Sequence, residues 1–325
     1  MSNLRATMDG ADAAPCTHPR DGLTLLQPRQ VPLGGPRAML VQRSLPHRDI
    51  RTVGAWCFID HFGPVEGGPA MHVPPHPHTG LQTVTWLLEG DVEHRDSIGS
   101  RTVVRPGELN LMTAGRGIAH SEDTVPPPAG AILRQHGVQL WVALPEADRF
   151  VEPHFEHHAD LPQIEDAGAR VSVLVGELLG ARSPAAAYTP LVGAQVHLAG
   201  GARVRVPLEP EFEHGVLALT RGVEAAGVPL PTSALLHVDA GRRELTLAGV
   251  GPGNAVALLI GGTPLTEDLL MWWNFVGRDH DEIAQFRQDW AAGRRFGRVE
   301  HPVAALPAPA LPTTRLRARP GRRRA

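Results

Sequence analysis

From Leu23 to about Leu144 the chain alternates short β-branched or aromatic runs with Gly, Pro, Asp and Ser turn signals, and this rhythm restricts it to an all-β architecture. Thr83-Val84-Thr85-Trp86-Leu87-Leu88 reads as a strand closed by the turn Glu89-Gly90-Asp91. Val92–Asp96 and Arg101–Val104 follow as strands around a turn at Ile98-Gly99-Ser100. Pro106-Gly107 turns the chain again before the strand Leu109–Met112, and Gln139–Leu144 reads as a further strand. Strands this short at such close intervals make a sandwich or a barrel. The content of 35 Gly and 31 Pro supports many turns over long helices, and 42% hydrophobic residues suffice for real cores. A length of 325 residues accommodates two domains.

The second half echoes the first. Gly107 precedes Leu109, Leu111 and Ala114-Gly115; Gly241 precedes Leu245, Leu247 and Ala248-Gly249, with equal spacing from the leading glycine to the Ala-Gly pair. Gly90 and Gly222 correspond upstream. A duplicated β-domain follows as an expectation, with a polar connection that includes Pro153 to Pro162. One helix is expected from about Asp279 to Ala292. Ile283, Phe286 and Trp290 share a face there, Asp279 or Asp281 caps the start, and Gly293 ends it. The division expected is a flexible leader at 1–20, a first barrel at 21–145, a second barrel at 146–278, the helix within 279–298, and a disordered Pro- and Arg-rich tail at 299–325.

All 31 basic residues are Arg, and the net charge of -3 gives no global pull toward nucleic acid or membrane. Cys16 and Cys57 are too few for a disulfide framework, which fits a reducing cytoplasm. The N-terminal residues lack the apolar core of a signal peptide, and no apolar run approaches the ~18 residues of a membrane span.

The chemistry sits in two short motifs, His76-Pro77-His78 and His120-Ser121-Glu122. With 17 His in the chain, one His-x-His is expected about once by chance, so that motif alone is a weak signal. Residues i and i+2 of a strand share a face, so each motif offers two donors on one side. If the two strands are neighbours, three imidazoles and a carboxylate meet, and an octahedral ion keeps two open positions. From spacing alone, separate hydrogen-bonding histidines are an equal reading. Asp60, His61, Gln82, His94 and Asp96 are candidates to orient the ligand rings. His154, His157, His158, His197, His214, His237 and His280 read as structural or solvent-exposed, Cys57 as a core residue, and Trp272-Trp273 as packing.

The runs HPHTGLQTVTWLLEG and PGELNLMTAGRGIAHSE resemble the pirin family of bicupins. DHFGP at Asp60 to Pro64, QLWVALP at Gln139 to Pro145, VEPHF at Val151 to Phe155 and LIGGTPL at Leu259 to Leu265 extend the resemblance across about Val41 to Phe286. It implies two tandem cupin barrels (double-stranded β-helix, jelly-roll) with a short C-terminal helix and a metal in the first barrel only. The implied ligands are His76, His78, His120 and Glu122. Gln82 stands where pirins often have Glu, which alters hydrogen bonding or charge near the site.

The implied cofactor is one divalent ion, Fe(II) first, with Mn, Ni, Cu or Zn as others. The implied activity is that of a quercetin 2,3-dioxygenase, with Glu122 as catalytic base, a flavonol-like aromatic substrate and O2. Eukaryotic pirins act as iron-dependent transcriptional co-regulators, so the alternative is a non-enzymatic metal or redox sensor that binds a protein partner. A monomeric cytoplasmic protein without nucleic-acid or membrane partners is expected.

Overall fold

The computed structural model describes residues 22–33 and 39–321. The leader at 1–20, with Cys16, and Arg322, Arg323 and Arg324 lie outside the described residues. Two β-barrels share one design. Each has a seven-stranded antiparallel sheet against a four-stranded one, and the strand orders correspond position by position. In the first barrel the small sheet runs His72–His78, Ile118–Thr124, Val92–Asp96, Arg101–Val104; in the second it runs Arg203–Pro207, Glu244–Gly249, Val223–Ala225, Val228–Leu230.

The duplication is therefore real, but its alignment differs from the expected one. Gly90 and Gly222 do sit in equivalent turns. Gly107 and Gly241 do not: Gly107 precedes Leu109–Thr113, whose counterpart is Leu235–Val238, whereas Gly241 precedes Glu244–Gly249, the counterpart of Ile118–Thr124. Glycine turns and alternating leucines recur at every strand of a barrel, so the matched spacing is off by one strand.

The two large sheets pack face to face. Trp56, Val84, Trp86 and Leu109 of the first barrel join Leu174, Leu217, Leu235 and Ile260 of the second in one buried cluster. The Trp56 indole N–H reaches the carbonyls of Val192 at 3.2 Å and Gly261 at 3.1 Å, and Trp86 Nε1 donates to Gln195 Oε1 at 2.9 Å. Buried indoles thus find their acceptors across the junction.

The barrels exchange edge strands across the expected division at residue 145. Leu23–Leu26 pairs with Leu235–Val238 of the second barrel, and His154–His158 pairs with Leu109–Thr113 of the first. Each exchanged strand covers an edge that would otherwise expose unpaired main-chain groups. The C-terminal part returns to the first barrel too. The hairpin Leu270–Trp272 and Phe275–Gly277 lies beside it through a bridge between Thr79 and Phe275. Gly80 makes this approach possible: its φ is +67°, and a Cβ there would lie 2.4 Å from the Val276 carbonyl oxygen.

The helix spans His280–Ala291, with Asp279 accepting from the amides of Asp281 and Glu282, close to the sequence expectation. Ile283 and Phe286 are buried with Trp272, Trp273, Phe275 and Phe296. The tail differs from the disorder expected of its composition. Leu306, Ala308, Leu311, Leu316 and Ala318 pack on that cluster, Leu306 N donates to Pro75 O at 2.8 Å, and Leu269 and Arg319 pair through their main chains. Prolines and a few spaced apolar side chains let an extended strap bind without forming a helix or a regular sheet. No helix among the described residues is long and apolar enough to cross a membrane.

Candidate metal centre

The four sequence-selected residues fall on the two adjacent strands His72–His78 and Ile118–Thr124. His76 lies directly opposite His120 and His78 opposite Ile118. The register then slips: Glu122 faces Val73, so the His72–His78 strand carries one extra residue at Pro74-Pro75. Proline cannot donate to the ladder and accommodates such a bulge. The irregularity leaves the Pro74 carbonyl free for the ring of its own neighbour: His76 Nδ1 lies 2.9 Å from it.

The rings of His76, His78 and His120 converge, with centroid separations of 4.4 Å, 4.9 Å and 5.0 Å. One nitrogen from each lies within 4.8 Å of the other two. Glu122 joins through a second group, formed with His120 and His94 to the same tolerance. His94 was legible only as an orienting candidate. Strand pairing would have found it, because it sits directly opposite Glu122 and Asp96 directly opposite His120. The Asp96 carboxylate lies 3.2 Å from His94 Nε2 and accepts the amides of Ile98 and Ser100, while Phe155 from the exchanged strand stacks on His94 at 4.4 Å.

The other orienting candidates lie elsewhere. Asp60 is bound at both oxygens by Arg43, at 2.7 Å each. His61 bridges Ser233 Oγ and His136 Nε2, and Gln82 donates to Thr113 Oγ1 and the Ala186 carbonyl. Residues that sequence reasoning missed are Thr85, whose hydroxyl donates to Glu122 Oε1 at 3.1 Å, and Gln139, which also bonds that carboxylate.

All four residues are buried. Burial pushes the His76 ring down to about 3, and it holds His78 and His120 well below the usual imidazole range, with neighbouring rings adding repulsion. These rings are therefore neutral at pH 7. Burial raises the Glu122 carboxyl above its ordinary value.

The donor set fits a divalent ion. Because carbonyls only accept, His76 and His78 carry their protons on Nδ1, donating to Pro74 O and to Asn274 O at 2.9 Å. Each then keeps a lone pair on Nε2. His120 Nε2 is buried with no hydrogen-bond partner among the described residues, a cost an ion would remove. Among the described residues the second barrel has no such set. Val204, Val206, Leu245, Leu247, Val223 and Ala225 fill the corresponding strands with apolar side chains. His214 and His237 lie on its large sheet.

Paired barrels of this topology, one with a buried His and Glu cluster and one apolar at the matching strands, define a two-domain cupin. The family model for pirin matches residues 38–142, and that for the pirin C-terminal cupin domain matches residues 193–297. A pirin-like protein of Caulobacter vibrioides is 37% identical over 266 residues, or 78% of this chain and 88% of its own. A crystal structure of quercetin 2,3-dioxygenase from Acinetobacter baumannii matches with a TM-score of 0.85 at 41% identity, covering 91% of this chain and 97% of that one. A bacterial pirin from Escherichia coli, solved in complex with nickel(II), shares the fold with a TM-score of 0.58 at 21% identity over 75% of this chain and 100% of its own. The chain belongs to the pirin family.

Proposed function

We infer that this protein is a metal-dependent dioxygenase of the quercetin 2,3-dioxygenase type. The observation that carries the reading is the convergence of three buried neutral imidazoles beside a buried carboxyl of raised pKa. His76, His78, His120 and Glu122 would hold the ion, with Fe(II) the first choice for this donor set. Such an ion supplies Lewis acidity and a template for a chelating 3-hydroxy-4-oxo aromatic substrate. The likeness to the Acinetobacter baumannii enzyme supports the same substrate class.

The chain's own residues do the rest. The Nδ1 donors to Pro74 and Asn274 fix the two rings of the first motif and their tautomers. Glu122, a buried carboxylate within the donor set, takes the substrate hydroxyl proton. The Thr85 hydroxyl steadies the carboxylate at Oε1. Trp141, edge-on to His78 at 5.0 Å and stacked on Phe58, gives an aromatic wall beside the rings. The overall change would be incorporation of both oxygen atoms of O2 into the substrate, with ring opening and release of carbon monoxide.

The test is metal analysis of purified protein combined with oxygen uptake on quercetin. Stoichiometric, metal-dependent O2 consumption that stops under anaerobic conditions is expected. Loss of quercetin without O2 would overturn the dioxygenase reading. Metal binding with no O2-dependent turnover would replace it with the sensing role.

A further inference from the structure

We propose that His72, Asp123 and His301 form a second divalent-cation site, on the outside of the first barrel and apart from the buried His76, His78 and His120 cluster. His72 and Asp123 face each other directly in the antiparallel pairing of the two ligand-bearing strands. His72 Nδ1 contacts Asp123 Oδ1. His301 comes from the C-terminal strap, and its Nε2 lies 2.8 Å from Asp123 Oδ2. The two rings are 5.4 Å apart between centroids, and one donor atom from each of the three residues lies within 4.8 Å of the others. Two donors thus stand on paired strands, and the third arrives 178 residues later in the chain.

The exposures suit a site that is built yet reachable. The His301 side chain is 1% exposed and Asp123 19%, so both are held in place, whereas His72 at 47% leaves a side open to solvent. Two imidazoles and one carboxylate favour borderline ions such as Zn(II), Ni(II), Co(II) or Cu(II), with water completing the shell. His301 Nδ1 lies 3.2 Å from the Val303 carbonyl. The Val303 amide also donates to that nitrogen at 3.1 Å, so without the ion the ring proton sits on Nε2 toward Asp123; an ion at Nε2 moves it to Nδ1, which then donates to the Val303 carbonyl. Without the ion, each ring donates a proton to Asp123; binding takes the place of that sharing, and a proton borne on a ring nitrogen must shift or leave. Arg95 approaches the same carboxylate at 3.4 Å, but its guanidinium is also paired with Glu93, which offsets its charge.

The consequence is mechanical. An ion here pins the strap at His301 to the strands that carry His76, His120 and Glu122, just before Leu306 bonds to Pro75. The strap is then closed by a surface ion, independently of whatever the interior centre holds.

The experiment is a Zn(II) and Ni(II) titration of the full chain after chelation, with bound ions counted by elemental analysis. The wild type should take up two ions per chain, and His72→Ala and His301→Asn one each. His72 is half-exposed, so its variant tests the site without disturbing the fold. His76→Ala should also take up one ion, and in that variant Zn(II) should slow proteolysis of the strap; adding His301→Asn should abolish both. Wild-type stoichiometry in both the His72 and His301 variants would overturn the proposal. If the interior centre binds nothing, uptake falls to one ion lost with His72 and not with His76, so failure of one site is distinct from failure of the other.

Discussion

His78 Nδ1 donates to the main-chain carbonyl of Asn274 at 2.9 Å, across 196 residues of sequence. A candidate ligand of the first barrel is thus aimed by a hairpin that follows the second barrel. The hairpin is held by its own packing: Phe275 is fully buried among Trp272, Trp273, Phe286 and Phe296.

Phe275→Ala should therefore cost twice. Removing a buried aromatic side chain costs about 3–5 kcal/mol of stability. Loosening the carbonyl that orients His78 should also weaken metal binding by roughly 10- to 100-fold. Denaturant unfolding and competitive metal titration on the folded variant check the two effects separately. An unchanged metal affinity would mean that the Asn274 carbonyl does not position the ring.

Glu122→Gln should separate binding from proton transfer. The amide keeps an oxygen donor and the Thr85 contact, so much of the metal should remain, while turnover on quercetin should fall by about 10²–10⁴-fold. His76→Ala and His120→Ala should instead lose the metal itself. Equal kcat in Glu122→Gln and wild type would remove the carboxylate from the proton-transfer role.

His61 is one of several buried rings that make the metal-free fold pH-dependent. Burial, with repulsion from His136, pushes its ring down to about 3 from the ordinary 6.5. The folded state then binds fewer protons than the unfolded one between these values. Its contribution is complete above pH 6.5 and is lost as pH falls toward 3, at up to ~1.4 kcal/mol per pH unit. His61→Gln should flatten the stability profile across that window by as much as one proton. Parallel profiles for variant and wild type, measured by urea unfolding, would show that His61 already shares its proton with the solvent.

How much of this was legible depended on whether the signal was local. The strand rhythm, the Asp279 cap and the i, i+2 spacing within His76-x-His78 and within His120-x-Glu122 are local patterns, and the sequence carries them directly; the meeting of the two motifs needed the pairing of their strands. His94 needed the register that sets it opposite Glu122. The exchanged strands Leu23–Leu26 and His154–His158 look like any other strands until the edges they cover are known. Second-barrel equivalence was readable at Gly90 and Gly222 and misleading at Gly107 and Gly241, because one-strand shifts preserve the same turn chemistry.

The tail shows the same limit and gives the last prediction. Its Pro, Ala and Arg content reads as disorder, yet sparse apolar side chains seat it on the cluster around Phe296, and Trp290 Nε1 donates to Leu306 O at 2.8 Å. Deleting residues 299–325 should expose that apolar surface and leave the Trp290 donor to solvent. The expected loss is on the order of 3 kcal/mol, from partial burial of three leucines and their neighbours. It should appear as a lower Tm and as new binding of an apolar dye, with Leu306→Ala giving a smaller shift in the same direction. A truncated chain with unchanged Tm would mean that the strap rests on the barrel without contributing to its stability.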